Sequence, residues 1–317
     1  MKRTDDFAET CTHALQQPVF EHIGAVLAEQ GFDSASCHRL VESIDELPAS
    51  HQVVFGLKSS IERLSPELVA NCQVERYLLL NSALRIVSSI AELPVADSVK
   101  ELYREEFAFF TDPDANRLAM FQVGQYRFAE MCKIASLRRF PAGQVHWELS
   151  GIPRSSLLHV NPLEVPRVLN FIARKLKGFR PCFNAHVNGR RKNSLMLLES
   201  AQNAAYYRIA KSMELQPSVL GYISTSWFYS PTASKVSPHL KWLSSVFLEN
   251  GGMIVDLGAD TPDSGALVGS RDRKALWDKG EFQPRKAMAI WPRQEMLRWA
   301  AQHPELEKPD SLQWARA

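Results

Sequence analysis

The chain sets 37 Lys and Arg against 35 Asp and Glu over 317 residues, for a net charge of +2 with 45% hydrophobic residues. That balance excludes a disordered or fibrous chain and leaves no global electrostatic case for nucleic acid, so charge can matter only locally. The length exceeds the range in which one core keeps growing, which points to two domains or one domain with a large extension.

Five cysteines (Cys11, Cys37, Cys72, Cys132 and Cys182) stand far apart with no C-x-x-C pair, a pattern of reduced thiols rather than a disulfide framework or zinc site. The first residues, MKRTDDFAETC, follow two bases with acids and lack an apolar core, unlike a signal peptide. No apolar run reaches the roughly 18 residues that span a bilayer. The expectation is a soluble cytoplasmic protein with no membrane partner.

In chain order, residues 1–115 read as a helical domain. Its clearest segment is Val74–Leu93, where Val74, Leu78, Leu84, Val87 and Ala91 recur at helical spacing before Pro94. Residues 116–144 form a linking helix, with Phe121, Phe128, Met131 and Ile134 turned to a core. From 145 to 317 the rhythm changes. QVHWELSG and SSLLHV are short and strand-like, and after them helices and strands alternate. The strands are PCFNAHV, SVLGYISTSWFYS, MIVDLGA and KAMAIWP, and amphipathic helical runs lie between them. Such alternation predicts a mainly parallel α/β sheet with crossover helices.

In an open parallel sheet, ligands bind beyond the carboxyl ends of the strands. Five loops are nominated on that rule: His159–Pro162, Asn188–Asn193, Ser230–Pro238, Gly258–Arg273 and Trp291–Arg293. No acid occurs from Val165 to Leu198 or from Leu215 to Leu248, while bases are frequent in the first of these stretches. The run HVNGRRKN places Arg190, Arg191 and Lys192 between a strand and a helix start, a suitable seat for phosphate or carboxylate. Ser226, Lys235 and Arg271 are further anion-binding candidates, and His186, Trp227 and Asp260 are substrate-binding candidates. His239, Tyr229 and Asp256 carry proton-transfer chemistry and are the catalytic candidates. Asp256, Asp260 and Asp263 could bridge a metal, but no matching ligand set accompanies them, and no metal is expected. His146 and Glu148 share one face of a strand and offer an acid/base pair, set against a plain exposed edge.

Two family resemblances are carried by short tracts. MIVDLGA resembles the first motif of class I methyltransferases, but Ala259-Asp260-Thr261-Pro262 replaces the glycine-rich continuation and too little chain follows to complete that fold. Ser270 to Arg293 resembles the last helix and strand of GNAT acyltransferases, with Leu276-Trp277 and Gly280-Glu281-Phe282 at the positions of that family's run before its final strand. This second resemblance implies an acyl-CoA donor. The family's R/Q-x-x-G-x-G/A pyrophosphate loop has no counterpart, Asn250-Gly251-Gly252 being the nearest tract. No P-loop, GxGxxG, HExxH or GxSxG is present.

The leading expectation is a transferase acting on an anionic small molecule (phosphorylated, nucleotide-activated or carboxylated), with the helical region covering the cleft or forming a homodimer. The alternatives are a GNAT-like acyl-CoA-dependent N-acyltransferase and a non-catalytic module that senses anions or docks on nucleic acid or protein. Composition names no cofactor.

Overall fold

The computed structural model describes residues 87–111, 126–188, 198–262 and 264–307. The chain divides into two compact units, one of Met1–Leu93 with Lys100–Pro141 and one of Pro94–Val99 with Ala142–Ala317. The expected helices before Val87 and the expected loop run Gly189–Asn193 lie outside the described residues.

In the first unit, α1 (Asp97–Thr111), which begins at the division, and α2 (Tyr126–Ala135) precede strand β1 (Arg139–Pro141). Burial of Arg139 is compensated by an ion pair with Glu130, and its carbonyl accepts from Tyr103 Oη at 2.9 Å.

The second unit is built on a sheet whose strands lie in the order β2-β3-β4-β6-β5. These are β2 (Val145–Ser150), β3 (Cys182–Val187), β4 (Gly221–Ser226), β5 (Met253–Ala259) and β6 (Arg285–Pro292). The expected mainly parallel sheet is corrected here. The pairs β2–β3, β4–β6 and β5–β6 are antiparallel, and β3–β4 is parallel. The cause is that β6 inserts between β4 and β5 in the reverse direction. Helix–strand alternation in sequence reports a crossover but not which edge the strand joins. A second correction concerns Ser155–Val160, expected as a strand: Arg154–His159 is a 3-10 helix.

Strand alternation gives the sheet two faces. On one, Cys182, Ile223, Met253, Val255, Met288 and Ile290 pack under α3 (Val165–Phe171) and the π-helical turn Ile172–Leu176 that continues it, through Val168, Ile172 and Leu176. The opposite face is aromatic. Tyr206 of α4 (Glu199–Glu214) meets Tyr222 at 5.7 Å and Trp291 at 5.8 Å between ring centroids. It also meets Phe247 of α6 (Trp242–Glu249) at 5.5 Å and Trp299 of α9 (Arg293–Ala301) at 6.4 Å. Between α4 and α6 lies the short α5 (Ala233–Val236), and between β5 and β6 lie α7 (Gly265–Val268) and α8 (Arg271–Asp278).

The lower end of the sheet is closed by close backbone approach. Gly221 faces Pro292, and a Cβ on it would stand 2.4 Å from the Trp291 carbonyl oxygen. Arg293 then folds back to the end of α4. Its Nη1 donates to the carbonyls of Met213, Gln216 and Val219 at 2.5, 2.9 and 3.3 Å. Met213 O and Gln216 O also accept from the Gln216 and Val219 amides at 3.1 Å, so the guanidinium is a further, charged donor at this helix end.

Two outcomes follow for stability. Gly221→Ala should lower the denaturation free energy by about 1–3 kcal/mol through overpacking against the Trp291 carbonyl. Arg293→Ala should cost a similar ~1.5–3 kcal/mol by removing hydrogen bonds from a charged donor. Urea melts of the two variants check both.

Candidate functional site

Strand directions define one edge of the second unit. The C-terminal ends of β3, β4 and β5 meet the N-terminal ends of β2 and β6 there, as Val145 opposite Val187, Ser226 opposite Ala287 and Ala259 opposite Arg285 require. Of the five nominated loops, those after β3, β4 and β5 start at this edge. His159 joins them, since a Cβ on Gly258 would lie 3.8 Å from its carbonyl oxygen. Trp291–Arg293 is at the other end of the sheet, where it caps α4, because β6 runs in reverse.

The site is built on the β2–β3 pair. Val145 and Trp147 belong to one face and His146 and Glu148 to the other, by the two-residue period of a strand. Trp147 is fully buried and its ring lies 3.9 Å from that of Phe183. With Trp147 opposite Ala185, His146 stands opposite His186 and Glu148 opposite Asn184. The diagonal then brings His186 Nε2 within 3.3 Å of Glu148 Oε1, with the two side chains 30% and 16% exposed. Nε2 itself is shielded from solvent and makes no hydrogen bond, so its approach to Glu148 is a close charge-bearing contact. The imidazole and carboxylate thus form a half-buried pair on the sheet face, facing the same side as Asn184 and, on β4, Thr225.

His186 was expected as a substrate-binding residue, and the structure brings it to Glu148, whose pairing with a histidine the sequence suggested only for His146. His146 is instead buried, on the same face and directly opposite His186. Sequence reasoning missed the diagonal partner because strand register is a tertiary property. The period-two placement of Glu148 was its legible half.

The other expected residues are distributed as follows. Ser226 ends β4 at the edge and Trp227 starts the 3-10 turn Trp227–Tyr229. Tyr229 is buried in the aromatic face, 5.5 Å from Phe247 between centroids. Burial pushes its phenol up despite hydrogen bonding with Ser224, Tyr206 and Tyr222, so it is a neutral group inside the core. Lys235 and His239 are exposed on α5 and the following 3-10 turn. Arg271 is exposed at the start of α8. Arg190, Arg191 and Lys192 lie outside the described residues, as does Asp263.

Asp256, expected to be catalytic, is engaged in the fold. Its carboxylate accepts from Arg285 Nε at 2.9 Å and Nη2 at 2.9 Å, and from the Gly258 amide at 2.9 Å. Here β5 shifts register against β6, and Gly258 takes φ +88°, a left-handed turn that its missing Cβ permits. Asp260 is likewise held, by Ser264 Oγ at 2.6 Å, the Thr261 amide at 2.9 Å and Lys286 Nζ at 2.9 Å. Burial opposes its ionisation, but these donors together outweigh it and hold the carboxyl below its ordinary value. Among the described residues no group of three His, Cys, Asp or Glu could hold a metal.

Arg273, the last residue of the nominated loop Gly258–Arg273, organises the edge. Arg273 Nε donates to Ala266 O at 2.6 Å, its Nη1 to Ser237 Oγ at 3.3 Å, and its guanidinium lies 4.6 Å from the Trp227 ring centroid. Burial draws its pKa down. Ser237, at the N-cap of the 3-10 turn Pro238–Leu240, makes no cap bond and is an acceptor for Arg273. The available signal was the spacing of Arg273, Leu276 and Trp277, which puts the guanidinium on the inner side of α8.

No family model matches the chain, and no curated protein matches it. Among solved structures it is similar to an acyltransferase in complex with decanoyl-CoA and teicoplanin, at 12% identity and TM-score 0.41, over 69% of this chain and 66% of that one. It is also similar to an acyltransferase mutant in complex with octanoyl-CoA, at 12% identity and TM-score 0.39, over 68% of this chain and 65% of that one. The chain spans just under two thirds of each of these proteins, and TM-scores this low do not define a shared fold.

The Asp260 contacts give a pH dependence. A carboxyl whose folded pKa is depressed stabilises the fold above its unfolded pKa, about 3.9, and that stability is lost as pH falls through the folded value. Asp260→Asn should therefore flatten the fall in urea-measured stability below about pH 4 while leaving its slope above pH 6 unchanged.

Proposed function

We propose that the protein is an acyl-CoA-dependent acyltransferase acting on an amine. The observation that carries this reading is the Glu148–His186 pair, half-buried on a sheet face beside the C-terminal ends of the parallel strands β3 and β4. The resemblance of Ser270–Arg293 to the closing helix and strand of GNAT acyltransferases supports the donor, since this tract folds as α8 followed by β6.

An amine is a poor nucleophile while protonated, and its attack on a thioester releases a proton. His186 Nε2 stands 3.3 Å from the Glu148 carboxylate without a formed hydrogen bond, and in the proposed reaction Nδ1 of the same ring takes that proton. Glu148 then stabilises the imidazolium that forms, the part an acid plays behind a catalytic histidine. The amine nitrogen bonds to the thioester carbonyl carbon, the C–S bond breaks, and CoA leaves as a thiolate that is reprotonated. The anion-binding assignment of Arg190, Arg191, Lys192, Ser226, Lys235 and Arg271 becomes the seat of the CoA phosphates, with Trp227 beside it. His239 sits next to that edge as a second proton carrier. Tyr229, Asp256 and Asp260 take supporting rather than reacting parts, because burial or ion pairing already occupies them.

The test separates binding from chemistry. Acetyl-, octanoyl- and decanoyl-CoA should raise the melting temperature of the wild type, and Arg190→Ala/Arg191→Ala should shrink that rise. UDP-sugars should have no effect. His186→Gln should keep the thermal shift and lower the rate of CoA thiol release to an amine acceptor by about 10²–10⁴-fold, with Glu148→Gln intermediate. A wild type that no acyl-CoA stabilises, or a His186→Gln variant at full rate, would overturn the proposal.

A further inference from the structure

The stretch from Gly151 to Arg180 stands apart from the rest of the surface. It holds Arg154, Arg167, Arg174, Lys175, Lys177 and Arg180 with a single acid, Glu164. Its two ends meet, since the Ile152 amide donates to Phe179 O at 2.9 Å and Arg154 lies 5.8 Å from the Phe179 ring centroid. Between them the chain runs out through the 3-10 helix Arg154–His159 and returns through α3 and its π-helical turn. Ile152, Val160, Val168, Ile172 and Leu176 anchor this excursion to the sheet.

Its outer side is apolar and basic together. Leu158 is 84% exposed, Leu163 87% and Leu169 40%. Leu163, Arg167, Asn170 and Arg174 recur at three- and four-residue spacing, out of phase with the buried Val168, Ile172 and Leu176. The wider π turn leaves Ala173, Arg174 and Lys175 all exposed. Arg167 meets Glu164 at 2.9 Å, and Lys175 meets Glu295 at 3.4 Å. Among the described residues no carboxylate pairs with Arg154, Arg174, Lys177 or Arg180.

We infer that this excursion docks the protein on an anionic lipid surface, with Leu158 and Leu163 entering the headgroup layer and Arg174, Lys177 and Arg180 meeting lipid phosphates and carboxylates. Charge complementarity names the partner, and the leucines decide among anionic partners. A polynucleotide neutralises cations but leaves leucines in water, whereas an acyl–headgroup boundary takes up both kinds of group. The expectation of no membrane partner rested on the lack of a spanning run. Among the described residues no helix is long and apolar enough to cross a membrane, and a peripheral surface needs none. The inference is independent of the acyltransferase reading.

Co-sedimentation of the full chain with vesicles tests it at about 0.1 M salt, where surface charges still act within a Debye length of ~10 Å. Vesicles of phosphatidylcholine with phosphatidylserine should bind the wild type, and pure phosphatidylcholine should not. Leu158→Asp/Leu163→Asp and Arg174→Glu/Lys177→Glu should each weaken partitioning by about tenfold or more. Both should keep the wild-type circular dichroism and melting temperature, since all four side chains are exposed. The inference is overturned if the wild type ignores phosphatidylserine vesicles, or if either variant binds like the wild type. It is also overturned if duplex DNA is retained at the same salt while vesicles are not.

Discussion

The register between β2 and β3 is the constraint on which the site depends. Trp147 and Phe183, 3.9 Å apart on the buried aromatic face, hold these strands in one alignment. A slip of one residue would carry Trp147 to the other face and drive Glu148 into the core, where an ionised carboxylate is costly. Packing on one side of the sheet thus places the imidazole and the carboxylate on the other. The pair is a consequence of the core, and its geometry is as rigid as the core beneath it.

Element type was largely legible in the sequence of the second unit, and pairing was not. MIVDLGA folds as β5 over the residues that its apolar run marked out, PCFNAHV contains β3, and the chain turns after α6 at Gly251, whose φ of +75° favours glycine. Periodicity and turn chemistry are local, so they survive folding. The position of β6 between β4 and β5 is a long-range decision made by faces such as Ala287, Ala289 and Trp291, and nothing in its own residues distinguishes the two directions. The same limit acted on the site. Glu148 and His186 were each visible as strand residues of the right chemistry, and only the pairing register joins them. SSLLHV misled for a different reason. Leu157 packs against the core while Leu158 is exposed, a mixture compatible with a strand or with one turn of 3-10 helix.

The basic residues divide into two populations that local composition does not separate. Arg273, Arg285 and Arg293 are consumed by the fold: one ties Ala266, Ser237 and Trp227 together, one holds Asp256 at the bulge, and one finishes α4. Each sits where antiparallel pairing or a helix end leaves backbone or carboxylate oxygens that need a strong donor. Among the described residues, Arg154, Arg174, Lys177 and Arg180 meet no carboxylate and remain on the surface. The discriminating feature is whether an oxygen acceptor waits within reach of the guanidinium.

The two faces of the sheet also differ in their polar chemistry. On the aromatic face, Ser224 Oγ donates to Ala185 O at 3.1 Å beside the Tyr206 and Tyr222 phenols, which burial keeps protonated. Arg208 of α4 is a buried cation on that side, and its guanidinium donates to Ala142 O at 3.0 Å, where a backbone carbonyl offsets part of the cost of burying the charge. The opposite face carries Glu148 and His186, at the strand positions that alternate with the buried Trp147 and Phe183. The tyrosines thus make polar contacts near the strand edge without adding a carboxylate to the aromatic layer, so the acid of this strand pair is confined to the face where it can reach the imidazole.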